Sequence, residues 1–474
     1  MTGIEHPPRI SHGDRGGWRW RRPAQRGPHD PTSHPFAHPA RLIALGFVLL
    51  VGLGTLLLSL PVSSAAPGGT DFRTAFFTAT SATCVTGLVV VDTGTYWSPT
   101  GQVVLLLLMQ LGALGVMTFA SLLGMLVAGR LGLRSRLLAR AETGAGGLGT
   151  VGQVIRGIVL VSLAVEAVVW LVLALRFWLA YDESLPRAVY HGLFQAISSY
   201  TNAGFVLLPD NLVGVSGDPF VVVPVALAFV IGGIGYPVLL ELLGSRFRPR
   251  TWSLHTRLTL ATTAVLFVLG PLVIIATEWT NPATLGGLSV PHRLLAGWFS
   301  GLTPRSGGFN TIDYGQADSA TLLTTIVLMV IGGGSAGTAG GIKVTTLAVL
   351  VLSVVSEARG DTDIDAFRRR IALATVRQAL AIATLAFLAI SLGTLVLLEI
   401  TGFSLDAALF EVTSAFGTVG LSTGITAQLP AAGQYLLIAL MLVGRIGPIT
   451  AASALALRTR TKAYRHPEGR PIVG

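Results

Sequence analysis

Eight apolar stretches alternate along the chain with shorter segments that mix apolar and polar positions. The long stretches run near 41–60, 101–128, 157–180, 219–243, 258–278, 320–356, 371–400 and 433–457. About 20 apolar residues cross roughly 30 Å of hydrocarbon as a helix, so each stretch predicts a transmembrane helix, the sixth with an interruption. Four shorter segments, near 72–86, 188–203, 291–307 and 406–419, fall between consecutive odd and even stretches. They are too short and too polar to cross, and predict helices that dip into the membrane and return. The unit of helix, pore segment and helix recurs four times with a period of about 110 residues. Internal repeats about an axis along the membrane normal place equivalent segments around one shared path. The expected fold is therefore an all-α membrane protein of four pseudo-symmetric helix–pore loop–helix repeats. Eight transmembrane helices and four re-entrant pore helices surround a central pore, with repeats at 41–128, 151–243, 255–356 and 370–457.

Each short segment ends in a glycine followed by an apolar residue. The four run from Phe77 to Gly87-Leu88, Phe194 to Gly204-Phe205, Phe299 to Gly308-Phe309 and Phe410 to Gly420-Leu421. Glycine takes φ values that other residues resist and lets other backbone come close. One such glycine after a polar helix is usually a C-cap; four in register on one side of a membrane ask for more. Extended backbone at membrane depth is tolerated only where it lines a cavity. A cation crossing lipid must exchange its water for other oxygens, which a ring of backbone carbonyls supplies. By analogy with potassium channels, the carbonyls just before each glycine are the expected ligands. They belong to Val85, Thr86, Asn202, Ala203, Ser306, Gly307, Thr418 and Val419.

Composition agrees with the pattern: of 474 residues, 51% are hydrophobic and 12% charged, too apolar for an ordinary soluble protein. Charge placement orients it, because Lys and Arg accumulate in cytoplasmic loops. Arginines at 9, 15, 19, 21, 22 and 26 precede the first stretch; Arg130, Arg134, Arg136, Arg140 and Arg156 separate the second and third. Arg246, Arg248, Arg250 and Arg257 separate the fourth and fifth, and Arg359, Arg368, Arg369, Arg370 and Arg377 the sixth and seventh. Arg458, Arg460, Lys462, Arg465 and Arg470 close the chain, all on one side, and the opposite side carries Arg73, Arg187, Arg293 and Arg305. Both termini are thus expected in the cytoplasm and the glycine motifs outside. The net charge of +10 then reports topology rather than nucleic-acid binding. Residues 1–40, with seven prolines and no apolar run, read as a disordered basic arm, leaving the first stretch as an uncleaved anchor. Residues 458–474 read as a cytoplasmic tail. A lone Cys84 excludes an intrachain disulfide and a thiolate metal site.

Two features are required by neither composition nor topology. Gly332 to Gly341 interrupts the sixth stretch with six glycines in ten residues. Each costs roughly 1 kcal/mol against Ala in a helix, so the chain is expected to unwind there. A phosphate cradle needs Gly-Lys-Ser/Thr, whereas Ile342 stands before Lys343. A flexible barrier below the glycine ring and a tight small-residue helix crossing both remain open. Arg445 sits midway along the last stretch, where a charge must face protein or water. It either narrows the path beside the glycine run or pairs with a buried acid such as Glu166 or Glu241. Lys343 either lines the path or snorkels. Asp92, Asp313 and Glu411, near the glycines on the outer side, either concentrate cations or, for Glu411, cap a pore helix. Hydrolase, zincin and paired-cysteine motifs are absent from the sequence, which argues against an enzyme.

The four motifs, with Val91-Asp92-Thr93, Asn310-Thr311 and Ser422-Thr423-Gly424 after them, resemble the filters of the Trk/Ktr/HKT superfamily of potassium transporters. Gly334 to Lys343 resembles that family's gating loop, and Gly444-Arg445-Ile446-Gly447-Pro448 its pore arginine region. Eight stretches and the closing Tyr464 to Glu468 make the membrane subunits of bacterial Ktr systems the nearest likeness, over about residues 41–474. The resemblance implies potassium uptake with K+ bound at Gly87, Gly204, Gly308 and Gly420, K+ being preferred because all four positions are Gly. It implies gating by Gly334, Ser335, Gly337, Thr338, Gly340, Gly341, Lys343 and Arg445. It also implies a homodimer in the plasma (inner) membrane of a bacterial cell, seated on a cytoplasmic ring of nucleotide-binding, RCK-type subunits such as KtrA. No cofactor is implied beyond K+, and Na+ coupling stays open. The alternative is an alternating-access cation carrier.

Overall fold

The computed structural model describes residues 39–129 and 151–457. The basic arm up to residue 38, the tail 458–474 and Arg130, Arg134, Arg136 and Arg140 lie outside the described residues. Among the described residues the regular structure is helical apart from one two-stranded hairpin. Helix is what an apolar run must form in lipid, because it pairs every backbone group within the segment.

The first repeat comprises α1 (Pro39–Ser59), α2 (Phe72–Cys84) and α3 (Pro99–Gly129). The second has α4 (Val151–Ala180), α5 (Leu185–Thr201), α6 (Pro219–Ile234) and α7 (Tyr236–Gly244). The third has α8 (Leu254–Glu278), α9 (Val290–Leu302), α10 (Ser319–Val330) and α11 (Val344–Arg359). After a hairpin of β1 (Asp365–Ala366) and β2 (Arg369–Arg370), the fourth has α12 (Leu373–Ile400), α13 (Leu405–Gly417) and α14 (Ala431–Leu457). The four short helices α2, α5, α9 and α13 begin with start signals readable in the sequence. Asp71 and Ser404 accept the Thr74 and Ala407 amides at 3.2 and 3.4 Å, and Pro186 and Pro291 occupy first turns where a missing N–H costs nothing.

Among the described residues, four helices are long and apolar enough to cross a membrane by length and composition, and α6 with α7 makes a fifth if taken as one bent span. Leu49, Leu53 and Leu56 on α1 and Leu385, Leu388, Leu392 and Leu395 on α12 are exposed, as a lipid-facing surface requires. The expected continuous helix at 219–243 is corrected: α6 and α7 meet at a bend of 97°. The turn is at Gly235, whose φ of +105° suits glycine alone, and a β-carbon there would strike the Ser335 carbonyl. Hydropathy is continuous across this break, so an apolar count does not register it.

The second helix of each repeat packs on the short helix of the next: α3 on α5, α6 on α9, α10 on α13, and α14 back on α2. That last contact closes the circle. Phe77, Phe194, Phe299 and Phe410, one from each repeat, are fully buried and anchor the short helices between their neighbours.

Candidate ion-conducting site

Each short helix ends immediately before its glycine motif, so four negative dipole ends point at the same region. The backbone then follows one pattern four times. Val85, Asn202, Ser306 and Thr418 have φ of +57°, +62°, +65° and +48°. The next residue returns to negative φ, and Gly87, Gly204, Gly308 and Gly420 follow with +92°, +72°, +76° and +94°. A chain whose φ alternates in sign turns successive carbonyls toward one side, unlike a helix or a strand. In repeats one, two and four the cap is a Schellman motif: Thr86, Ala203 and Val419 amides reach back to Ser81, Ser198 and Ser414 carbonyls at 2.8, 2.8 and 2.9 Å. Val and Thr in a left-handed cap are strained by about 1–3 kcal/mol, tolerated only where the surroundings fix the conformation. Here they do: the Ser81 and Ser414 hydroxyls accept the Gly87 and Gly420 amides at 3.1 Å, and Val85 is packed in a buried cluster.

The four glycines touch in cyclic order. A β-carbon at Gly87 would lie 2.5 Å from the Ala203 carbonyl oxygen, and one at Gly204 would lie 2.9 Å from the Gly308 α-carbon. One at Gly308 would lie 2.6 Å from the Val419 carbonyl oxygen, and one at Gly420 would overlap the Thr86 carbonyl. First meets second, second third, third fourth, and fourth first. A second set of glycines supports this set from behind. Gly112, Gly232 and Gly444, on α3, α6 and α14, let the helices pass directly against the carbonyls of Thr83, Tyr200 and Phe416, each two residues before the left-handed cap.

Between α10 and α11 the chain unwinds, as the glycine run predicts, and lies against the ring on the short-helix side. Thr338 Oγ1 donates to Asn202 Oδ1 at 2.6 Å, the Gly340 amide to Ser306 Oγ at 3.2 Å, and Asn202 Nδ2 to the Ser306 carbonyl at 2.7 Å. Ser306 Oγ donates in turn to the Thr418 carbonyl at 2.8 Å. The loop is moored on its other flank by the α6–α7 bend: Gly334 and Thr338 amides donate to Gly233 and Gly232 carbonyls at 2.8 and 3.0 Å. Gly337 would collide there if it carried a β-carbon, and Ser335 lies against Gly235. Gly341 reverses the chain with φ of +64°. Three cations hold loop carbonyls. Arg445 Nη1 donates to the Thr338 carbonyl, Arg305 Nη2 to the Gly332 carbonyl at 3.0 Å, and Lys343 Nζ to the Ala339 carbonyl at 2.6 Å. Arg445 and Arg305 are 3% and 5% exposed, so both are buried charges without a carboxylate on their bonded nitrogens. Arg305 also stacks on the Phe267 ring at 4.7 Å.

The chain that carries this ring and its strapped loop has known relatives. The TrkH family, described as cation transport proteins, matches residues 46–461. The chain belongs to the TrkH family. It is 39% identical to the Ktr system potassium uptake protein B of Bacillus subtilis over 92% of this chain and 97% of that protein. It is 33% identical to the potassium/sodium uptake protein NtpJ of Enterococcus hirae, covering 92% and 97% of the two chains. The crystal structure of the potassium transporter TrkH from Vibrio parahaemolyticus superposes with a TM-score of 0.68 at 16% identity, over 90% of this chain and 86% of that one. That likeness bears on the fold. A family of transporters, not of enzymes, agrees with the absence of catalytic motifs.

In the structure of this TrkH-family chain, all twelve ring residues expected from the sequence lie in the four turns, and the eight positions expected to gate lie in or against the loop. Three expectations change. Arg305 is no outer-surface charge: the segment carrying it is re-entrant, so a residue between two spans ends up buried against the loop. Arg445 does not pair with Glu166 or Glu241. Glu166 accepts Ser162 Oγ at 2.6 Å and Gln110 Nε2 at 3.0 Å, and Glu241 takes the Ser253 amide at 2.5 Å and the Ser253 and Thr256 hydroxyls. Glu411 is neither an outer charge nor a helix cap. It is fully buried and clamps the segment after the fourth glycine through Ser422, the Thr423 amide at 3.1 Å and Thr426 at 2.9 Å. Asp92 and Asp313 do remain exposed, each capping a short turn through Thr95 or Gly315 at 2.8 and 2.9 Å. The residues missed were Gly232, Gly233 and Gly235. Three glycines in four positions of an apolar span were the available signal.

Proposed function

We propose that this chain takes up potassium ions across a cell membrane through the ring of four glycine turns. The observation that carries the reading is the cyclic contact of Gly87, Gly204, Gly308 and Gly420 with one φ pattern in all four. Carbonyls of Val85, Thr86, Asn202, Ala203, Ser306, Gly307, Thr418 and Val419 replace the ion's water, and the four helix C-termini lower its energy further. The loop 332–341 blocks the path sterically, and Arg445 adds a positive charge where a cation must pass. The four repeats are the four walls of the path. Both termini lie in the cytoplasm, and two copies of the chain assemble on a cytoplasmic ring of nucleotide-binding subunits. The printed name of the Enterococcus hirae relative couples potassium with sodium, so Na+ is the second ion to test.

The broken helices α6–α7 and α10–α11 favour a second reading, since discontinuous spans at mid-membrane also occur in alternating-access carriers. One experiment separates the two: uptake of K+ and Na+ into liposomes holding the purified chain, followed against concentration and voltage. A pore gives current that keeps rising and prefers K+. Flux that saturates with slow turnover assigns the carrier, and no cation flux with or without a regulatory partner overturns both.

A further inference from the structure

On the arginine-rich side, away from the path, the segment joining α7 to α8 and the β1–β2 hairpin form an open cavity of about 460 Å³. Its walls include Arg250, Arg257, Arg368 and Arg369, with Trp252 and Phe367 as aromatic faces. No carboxylate lines it. Of the acids nearby, Glu241 takes the Ser253 amide and the Ser253 and Thr256 hydroxyls at the start of α8, Asp363 pairs with Arg370 at 2.7 Å, and Asp365 on β1 is exposed and is not among the lining residues. Arg257 lies over the Phe367 ring at 6.0 Å, donates Nη2 to the Arg250 carbonyl at 3.0 Å, and has a buried Nε with no partner.

The hairpin is built at a cost. Ala366 pairs with Arg369, so the turn is the two residues Phe367 and Arg368, with φ of +49° and +66°. Positive φ at both positions is the type I′ geometry that Asn-Gly adopts readily and that Phe and Arg resist. Membrane topology asks only that arginines be somewhere on this side. It does not ask for a concave wall assembled from segments more than 100 residues apart, nor for a strained turn that holds a Phe and an Arg at its rim.

We infer that this cavity binds a phosphoryl group, presented by an anionic phospholipid headgroup or by a soluble phosphate. Guanidinium forks match phosphate oxygens bidentately, and the clustered positive charge suits a ligand with a full negative charge. The aromatic faces flank those contacts and, on the proposed topology, sit where the bilayer meets the cytoplasm.

The test uses the full-length protein in detergent, titrated with phosphatidylglycerol, phosphatidylcholine and inorganic phosphate, with bound ligand read by native mass spectrometry and by thermal shift. The expected result is binding of phosphatidylglycerol, of phosphate or of both that weakens roughly fivefold per arginine removed in R250Q/R368Q. R246Q/R248Q removes equal charge from exposed positions outside the cavity and leaves that binding unchanged. Phe367→Gly, which relieves the turn, keeps or raises the melting temperature while weakening binding. Loss with phosphatidylglycerol alone assigns a lipid headgroup, and loss with inorganic phosphate assigns a soluble ligand. The proposal is overturned if both double variants weaken binding equally, which means diffuse surface charge. It is also overturned if neither variant changes it, or if R250Q/R368Q loses only a co-purifying protein partner.

Discussion

At Gly87 the main chain of one repeat stands where the neighbouring repeat's carbonyl leaves no room for another carbon. The left-handed φ of +92° adds a second reason for glycine. Gly87→Ser therefore pushes the Ala203 carbonyl aside and changes the spacing of the carbonyls proposed to bind the ion. The expected outcome is a lower K+ over Na+ preference with membrane insertion retained, measured as a permeability ratio. A ratio equal to that of the parent protein removes Gly87 from the filter. Arg305 poses a different question, whether its charge or its hydrogen bond matters. A charged donor to a carbonyl is worth about 1.5–3 kcal/mol, so freeing the Gly332 carbonyl shifts a loop equilibrium by on the order of tenfold or more. Arg305→Gln is expected to raise basal K+ flux. Arg305→Lys keeps the charge but gives up the planar group that bonds Gly332 and stacks on Phe267 together. If Lys behaves like Gln the anchoring is what matters, and if Lys behaves like Arg the charge is.

At the scale of elements, the loop between α10 and α11 is held by hydrogen bonds to short side chains and carbonyls rather than by a packed apolar face. Each of those bonds is individually replaceable, so the loop can be released by exchanging them for others rather than by unpacking a core. Deleting Ser335–Gly340 is expected to raise K+ flux and weaken its dependence on any regulatory partner. On the proposed gating, Arg445→Ala removes the repulsion but leaves the steric block, so a smaller rise, roughly tenfold at most, is expected. A deletion that folds and conducts less than the parent makes the loop part of the path and sinks the barrier reading. This element shows what a sequence reveals and what it hides. The break at 332–341 was legible because six glycines in ten residues defeat a helix whatever surrounds them. The break at Gly235 was not, because Gly232, Gly233 and Gly235 each oppose helix weakly and an apolar count passes over them. Arg305 was misplaced for a related reason. Counting charges between spans assumes that intervening residues reach the surface, which a re-entrant segment violates. Asn202, read as a source of a carbonyl, turned out also to bridge two repeats and the loop through its side chain, a long-range contact with no local signature.

In the whole molecule four units share one axis, while the chain gives only their order. Four equal repeats could be strung side by side. The packing of α14 on α2 and of Gly420 on the Thr86 carbonyl excludes that arrangement. Asn202, Ser306 and Thr418 join repeats two, three and four to one another and to the loop, and the contact of Gly420 with the Thr86 carbonyl carries the ring on to the first. Control applied from outside the membrane then needs a handle on the arginine-rich face, where α11 leads from the loop toward Arg359. That geometry suits a cytoplasmic partner that senses nucleotide, since the described residues hold no phosphate loop of their own and the glycine run at 332–341 is occupied by contacts to the ring. The expected outcome is that a nucleotide-binding protein co-purifies from the native host and that K+ uptake responds to ATP or ADP only when it is present. Uptake by the isolated chain should then be indifferent to either nucleotide. A response of the isolated chain to ATP would place the sensor within these 474 residues and overturn the division of labour between a conducting ring and a separate regulator.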